Sequence, residues 1–155
     1  NLSFKDISDP GAQRWRDRRE TVYGRPIHDY VPFYLNPKNP MQFRRREMLQ
    51  ELVLVEVDRS VLAGREYVYS DGNAASRATR FSDDVLLIGT CVEALTAEYW
   101  TEIEDGKRRR CAQVLIYSHI EPRSIKRLIC MNDQMVERLM AFVGLPVAAD
   151  RTLFF

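Results

Sequence analysis

Four consecutive cations, Lys107-Arg108-Arg109-Arg110, run directly into Cys111-Ala112-Gln113-Val114-Leu115-Ile116, and no other stretch constrains the fold as tightly. A solvated charge cluster that gives way to an apolar run predicts a strand over residues 112–118. That strand has one polar residue, Gln113, among apolar neighbours. A lone amide in such a place is hydrogen-bonded, or it costs about 1–3 kcal/mol. Gln113 is therefore a satisfied edge residue, or it stands where a polar group faces a ligand.

The 155 residues, 45% of them hydrophobic, suit one compact domain with a sizeable core. A net charge of +1 announces no global field, so any nucleic-acid surface has to be a local patch. No apolar run approaches the roughly 20 residues that span a bilayer, and the start does not read as a signal peptide. Cys91, Cys111 and Cys130 are widely spaced, which reads as reduced core thiols in a cytosolic protein. Only His28 and His119 are available as imidazole ligands, which argues against a zinc site.

Local patterns predict the order of elements. A helix is expected over about 12–20, and a strand over 28–35, where Pro32 marks an edge or a bulge. A turn-rich loop follows at 36–40, then a short basic helix within 41–49. Residues 51–57 read as a buried strand, 60–64 as a helical turn and 66–70 as a strand ending at Asp71-Gly72-Asn73. A helix over 91–100 places Val92, Leu95 and Tyr99 on one face. Residues 124–130 form another strand. Asn132 caps a last helix that Gly144 terminates, with Met135, Val136, Leu139, Met140 and Val143 as its apolar stripe. A short strand closes the chain. Strands outnumber helices and alternate with them irregularly, so the expected class is α+β with a largely antiparallel or mixed sheet.

Asp29-Tyr30-Val31-Pro32-Phe33-Tyr34-Leu35, followed by Asn36-Pro37-Lys38-Asn39-Pro40-Met41, resembles the D-Y-V-P-F-Y-F-x-P-x-S-P-M segment of the DarT family. Those are bacterial toxins that transfer ADP-ribose from NAD to bases of single-stranded DNA. Ser70-Asp71-Gly72-Asn73-Ala74 resembles the family's T-D-x-x-A loop, and residues 109–116 resemble its R-R-Q-A-E-F-L-V strand. Leu145-Pro146-Val147 through Phe154-Phe155 is similar to its closing P-V-x-V-x-x-x-W-Y-F. The resemblance implies ADP-ribosyltransferase-like mixed or antiparallel β-sheets with flanking helices, in a single domain over residues 1–155. It implies NAD as co-substrate, no metal, a monomer in the cytoplasm, and a macrodomain antitoxin as partner. The family modifies thymidine in some members and guanosine in others.

The chain departs from that pattern twice. Where the family has the catalytic Glu of A-E-F-L-V, Gln113 stands. Transfer of ADP-ribose passes through an oxocarbenium-like transition state, in which a carboxylate binds the ribose 2′-hydroxyl and opposes the developing charge. It also takes a proton from the nucleophile. An amide keeps the shape and the hydrogen bond but not the charge or the basicity. The expectation is a silenced enzyme, by a deliberate Glu→Gln replacement in preference to a natural pseudoenzyme; an ordinary strand glutamine is the plain alternative. The second departure is the absence of the family's H-x-T strand, which lines the NAD pocket. Asn1 aligns past it, and whether that strand lies upstream or has been lost stays open.

The resemblance also nominates site residues. Gln13, Arg14 and Arg16 match its I-Q-x-R-R segment, whose Arg contacts the cofactor, with Arg16 the first choice because a guanidinium grips phosphate through a bidentate fork. His28, Tyr30 and Tyr34 are further NAD candidates, although aromatic residues at strand spacing are more often core. Asn73, Arg77 and Arg80 open the substrate-presenting segment, where an amide can read a base edge. Arg44, Arg45, Arg109 and Arg110 are the candidate phosphate contacts of a single-strand groove. A target base has to be unstacked to be attacked, which suits single-stranded DNA. Two other classes compete with the enzyme: a non-catalytic single-stranded nucleic-acid-binding module on the same scaffold, and a small regulatory domain that binds protein.

Overall fold

The structure, a computed structural model, describes residues 16–155. Gln13, Arg14 and the first four residues of the helix expected over 12–20 lie outside the described residues, and from 17 to 20 the chain is not helical but leads into an isolated bridge between Arg19 and Pro26. Seven strands form two sheets: β1 Tyr30–Tyr34, β2 Val53–Val57, β3 Tyr67–Ser70, β4 Phe81–Ser82, β5 Gln113–Tyr117, β6 Ile125–Cys130 and β7 Val147–Ala149. The first sheet has the order β1-β5-β3-β4 and is antiparallel throughout. The second has the order β2-β6-β7, antiparallel between β2 and β6 and parallel between β6 and β7. Five short helices connect them: α1 Pro40–Arg44, α2 Leu86–Gly89, α3 Val92–Thr96, α4 Gly106–Arg109 and α5 Asp133–Met140. This is an α+β architecture.

The apolar run of β5 explains its place. Residues 113–116 are buried without alternation, as fits a strand covered on both faces and paired on both sides. Pro32, which cannot donate to a ladder, sits in β1 at the edge of the sheet. Below β5, Ile27, Tyr30, Val68, Ala74 and Leu115 pack into one core cluster. Leu49, Ile129 and Phe154 form a second cluster under the other sheet. Gln42 ties the chain end to α1: its Nε2 donates to Leu153 O at 3.0 Å, and its Oε1 accepts from Phe155 N at 3.1 Å. Phe43, Trp100 and Phe155 meet edge to face, with ring centroids 5.4–5.8 Å apart. Asn132 caps α5 through a bond from Met135 N, as its sequence position predicts.

Two expectations are corrected. The strand over 51–57 is a half-exposed edge strand, with Val55 51% exposed, because β6 pairs it on one side only. The helix over 91–100 stops at Thr96, and Val92 and Tyr99 face solvent, while Cys91, Ala94 and Trp100 are buried. The backbone leaves the helix at Ala97 (φ −58°, ψ 142°), and the Arg110 guanidinium donates to the carbonyls of Ala94, Leu95 and Ala97 at 2.8–2.9 Å.

Candidate active site

Strand register puts Tyr34, Gln113 and Ser70 on one rung, since β5 pairs Gln113 with Tyr34 on one side and Ser70 on the other. Directly opposed residues project to the same face of a sheet. The Gln113 backbone N–H donates to Ser70 Oγ at 3.1 Å, and Ser70 Oγ donates to Gly72 O at 2.8 Å. The Gln113 side chain lies on the same rung as Tyr34 and works against the rise that burial imposes on the Tyr34 pKa. The Gln113 Oε1 is buried and has no hydrogen-bond partner among the described residues. Gln113 is only 4% exposed, so that oxygen carries an uncompensated desolvation cost of about 1–3 kcal/mol.

Arg16 completes the inner group. It is half-buried and donates weakly to the carbonyls of Ile27 and Tyr30 at 3.5 and 3.4 Å, and its charge reaches the Tyr34 hydroxyl. Burial raises the Tyr34 pKa, with Arg16 and the Gln113 amide pulling the other way. Cys111 lies close by, but burial pushes its thiol up to about 11, which leaves it inert near neutral pH.

Tyr34 also forms part of a cleft of about 290 Å³ bounded by Met41, Arg44, Asn73, Lys107 and Arg108. A larger groove of about 700 Å³ runs between β1 and β2, but its walls are almost entirely apolar. Cations and amides converge on the smaller cleft, and that convergence marks the polar-ligand site. Among the described residues no cluster of His, Cys, Asp or Glu is arranged to hold a metal.

The wall beside Asn73 is built around Asp71, a carboxylate that is 2% exposed. It accepts from Arg80 Nε at 2.9 Å, Arg80 N at 2.9 Å and Arg108 Nη1 at 2.7 Å. Burial alone raises its pKa, but the Arg80 N–H and the two guanidinium groups outweigh burial and hold it below the ordinary carboxylate value. A depressed folded pKa means that the stabilisation is fully present above about pH 4 and is lost as pH falls through the folded value. Asp71→Asn is thus expected to lower the urea midpoint at neutral pH, with the gap to the parent narrowing progressively below about pH 4. Gly72 is fixed by the same contact. A Cβ there stands 2.5 Å from Arg108 Nη1 and 2.9 Å from Arg108 O. Gly72→Ala is expected to cost about 2 kcal/mol, a fall in Tm of roughly 4–8 °C by thermal melting.

The nominated residues divide. Tyr34, Arg44 and Asn73 meet at the cleft, with Arg16 and Gln113 reached through Tyr34. Arg80 is mostly exposed but tied to Asp71, Arg77 is exposed on the same loop, and Arg45 lines the apolar groove. Arg109 is half-buried and donates to the carbonyls of Glu104 and Thr90. Three nominations are corrected. Tyr30 is a core residue, 3% exposed, whose hydroxyl donates to Glu20 at 3.0 Å. His28 is exposed in the turn before β1 and pairs with Asp17 at 3.0 Å, away from the cleft walls. Arg110 is 5% exposed, and its nitrogens are spent on the carbonyls of α3 and on Lys38 O at 2.7 Å, so it contacts no phosphate. Sequence reasoning missed Asp71, Lys107, Arg108 and Arg18. Asp71 stands inside the T-D-x-x-A match, which was the one available signal.

A family model described as "ssDNA thymidine ADP-ribosyltransferase, DarT" matches residues 1–154. A DNA ADP-ribosyl transferase–DNA ADP-ribosyl glycohydrolase fusion protein of Thermosipho africanus is 24% identical over 100% of the chain and 42% of its own length. A DNA ADP-ribosyl transferase of Mycobacterium bovis is 28% identical over 79% of the chain and 59% of its own length. The chain thus spans about half the length of these curated relatives. In structure it is similar to the DarT of Thermus sp. 2.9 in complex with ADP-ribosylated ssDNA, with a TM-score of 0.78 at 20% identity over 97% of this chain and 81% of that one. The same Thermus protein in complex with NAD+ gives a TM-score of 0.71 at 20% identity over 91% and 81%. At that identity the likeness establishes the fold.

Proposed function

The chain belongs to the DarT family, and from that footing we propose that its cleft is built to transfer ADP-ribose from NAD+ to thymidine in single-stranded DNA, with Gln113 holding the chemistry back. One observation carries the reading. A buried amide oxygen without a partner among the described residues sits at the end of the central strand, on the same rung as a tyrosine that lines a cleft with Arg44, Lys107 and Arg108. Such an oxygen is suited to accept from a ligand hydroxyl, and the ribose 2′-hydroxyl is the donor that this chemistry supplies.

In the reaction, the bond between ribose C1′ and the nicotinamide nitrogen breaks, and nicotinamide leaves neutral. A ring nitrogen of the base attacks C1′, and its proton passes to a base at position 113. A carboxylate there opposes the charge that develops on the ribose; Gln113 binds the hydroxyl but does neither of the other tasks. Arg16 is the candidate for the cofactor diphosphate, because a half-buried guanidinium beside Tyr34 stays charged and binds phosphate strongly. Asn73 is the candidate base reader, and Arg44 and Lys107 supply positive charge for the strand. The Thermus complexes with ADP-ribosylated ssDNA and with NAD+ support both ligands, and the Thermosipho relative, which joins a transferase to a glycohydrolase, supports a macrodomain partner and a toxin role.

The test is to incubate Gln113→Glu with NAD+ and a thymidine-containing oligonucleotide, and to read nicotinamide release and the mass of the oligonucleotide. Addition of one ADP-ribose unit supports the reading. A variant that binds the oligonucleotide but never consumes NAD+ overturns it in favour of a non-catalytic single-strand-binding module, which the neutral amide at position 113 already favours as second choice.

A further inference from the structure

Residues 71–80 form a loop that closes on itself. Asp71 N–H donates to Arg80 O at 3.2 Å, and Thr79 Oγ1 donates to Asn73 O at 2.6 Å. Asn73 Oδ1 accepts from Ala75 N at 3.0 Å, which sets the orientation of that side chain at the cleft. Two arginines from outside the loop then hold it. Arg18 donates through Nη2 to Ala74 O at 3.1 Å and Thr79 O at 3.3 Å, and through Nη1 to Arg77 O at 3.3 Å. Its guanidinium also lies over the Phe81 ring, 5.1 Å from the centroid.

Arg108 makes the second hold. Its Nη1 donates to Asp71 Oδ1 at 2.7 Å and Thr79 Oγ1 at 3.2 Å, and its own carbonyl accepts from Asn73 N at 3.0 Å. Arg108 belongs to α4, which leads directly into β5 and Gln113. The chain between Arg108 and Gln113 and the contacts between Arg108 and Asn73 thus link the two halves of the cleft. Neither arginine is disposed as a phosphate ligand. Arg108 is neutralised by Asp71 and Asp105 with its side chain 14% exposed, and Arg18 spends its terminal nitrogens on carbonyls.

We propose that Arg18 and Arg108 are positioning residues for the acceptor strand: they hold the 71–80 loop so that Asn73 keeps a fixed distance from position 113, where the ADP-ribose donor is to be placed. This rests on the reading given above. Misplacement of a reacting group by about 1 Å costs on the order of 10²-fold in rate, so a loop that presents the acceptor has reason to be held from two sides.

The test uses Arg18→Lys, Arg108→Lys and Thr79→Val, the last of which removes the hydroxyl contacts to Asn73 O and Arg108 Nη1 and leaves both cations in place. In the Gln113→Glu background, transfer to DNA is expected to fall at least tenfold and KM for the oligonucleotide to rise. For Arg18→Lys and Thr79→Val, whose residues do not line the cleft, KM for NAD+ and NAD+ hydrolysis without DNA are expected to stay unchanged. Parallel loss of transfer and of DNA-free hydrolysis, with a lowered Tm, overturns positioning in favour of a purely structural role. If Gln113→Glu is inert towards NAD+, the function reading fails by itself, and oligonucleotide affinity of the Gln113 chain decides this proposal. An affinity loss of about tenfold with an unchanged salt slope supports it. Unchanged affinity, or a slope reduced by about one for Arg18→Gln or Arg108→Gln, which remove the charge that lysine keeps, overturns it, the latter because it reports a direct phosphate contact.

Discussion

Gln113→Glu is expected to raise the rate of ADP-ribosyl transfer by about 10²-fold or more, which corresponds to roughly 2.7 kcal/mol of transition-state stabilisation. The gain comes from a charge aimed at the ribose and from a base that can accept a proton. It has a structural side effect, because the new carboxylate stands on the same rung as Tyr34 and can only accept hydrogen bonds. The position is buried, and burial raises a carboxyl pKa. Two measurable trends follow. Nicotinamide release by the variant is expected to fall as pH drops through that raised pKa, because only the carboxylate form is active. Stability has the same origin and the opposite sense. A carboxyl whose folded pKa lies above its unfolded value destabilises the fold above about pH 4.3, so the variant is expected to be less stable than the Gln113 chain near neutrality and to recover towards acid. Urea midpoints at pH 4 and pH 7 separate this from a packing defect, which does not titrate.

Arg110→Met is expected to be the most damaging single change to the fold, at about 3–5 kcal/mol, or a fall in Tm of roughly 10 °C. The guanidinium reaches Lys38 O at 2.7 Å and the carbonyls of Ala94, Leu95 and Ala97, and it packs 5.7 Å from the Trp100 ring centroid. Its partners are all backbone carbonyls, so methionine fills the space but leaves several acceptors unpaired. Arg110→Lys is not expected to rescue it, because a single ammonium cannot reproduce the fork that spans the end of α3 and the loop at Lys38. Oligonucleotide binding by the remaining folded protein is expected to keep its salt slope, since the Arg110 guanidinium is buried and bonded to backbone carbonyls. A slope that drops by about one would restore the phosphate role that the sequence suggests for this residue.

The contrast between Arg110 and Arg44 shows where sequence reasoning ends. Both sit in basic runs of similar appearance, yet one caps a helix in the interior and the other stands at the cleft. Charge runs do not say which member turns inward, because that depends on which carbonyls lack partners after the chain has folded. The same reason defeated the helix expected over 91–100, whose last carbonyls pair with a residue more than ten positions later. Asp71 and Gly72 were visible as a motif, but a turn and a buried carboxylate that gathers two arginines look alike until Arg108 is brought beside them.

What the sequence by itself determined was local and periodic: the central strand from its unbroken apolar run, the edge strand from Pro32, the last helix from the Asn132 cap, and position 113 as the one polar residue that needed explaining. These rest on interactions within a few residues, which the chain writes in order. Only the tertiary structure decided which cations are solvated, which tyrosine is core and which lines a cleft, and which loop is held against the central strand. Those outcomes depend on desolvation and on unpaired backbone groups supplied by distant segments, and a linear chain does not record that proximity.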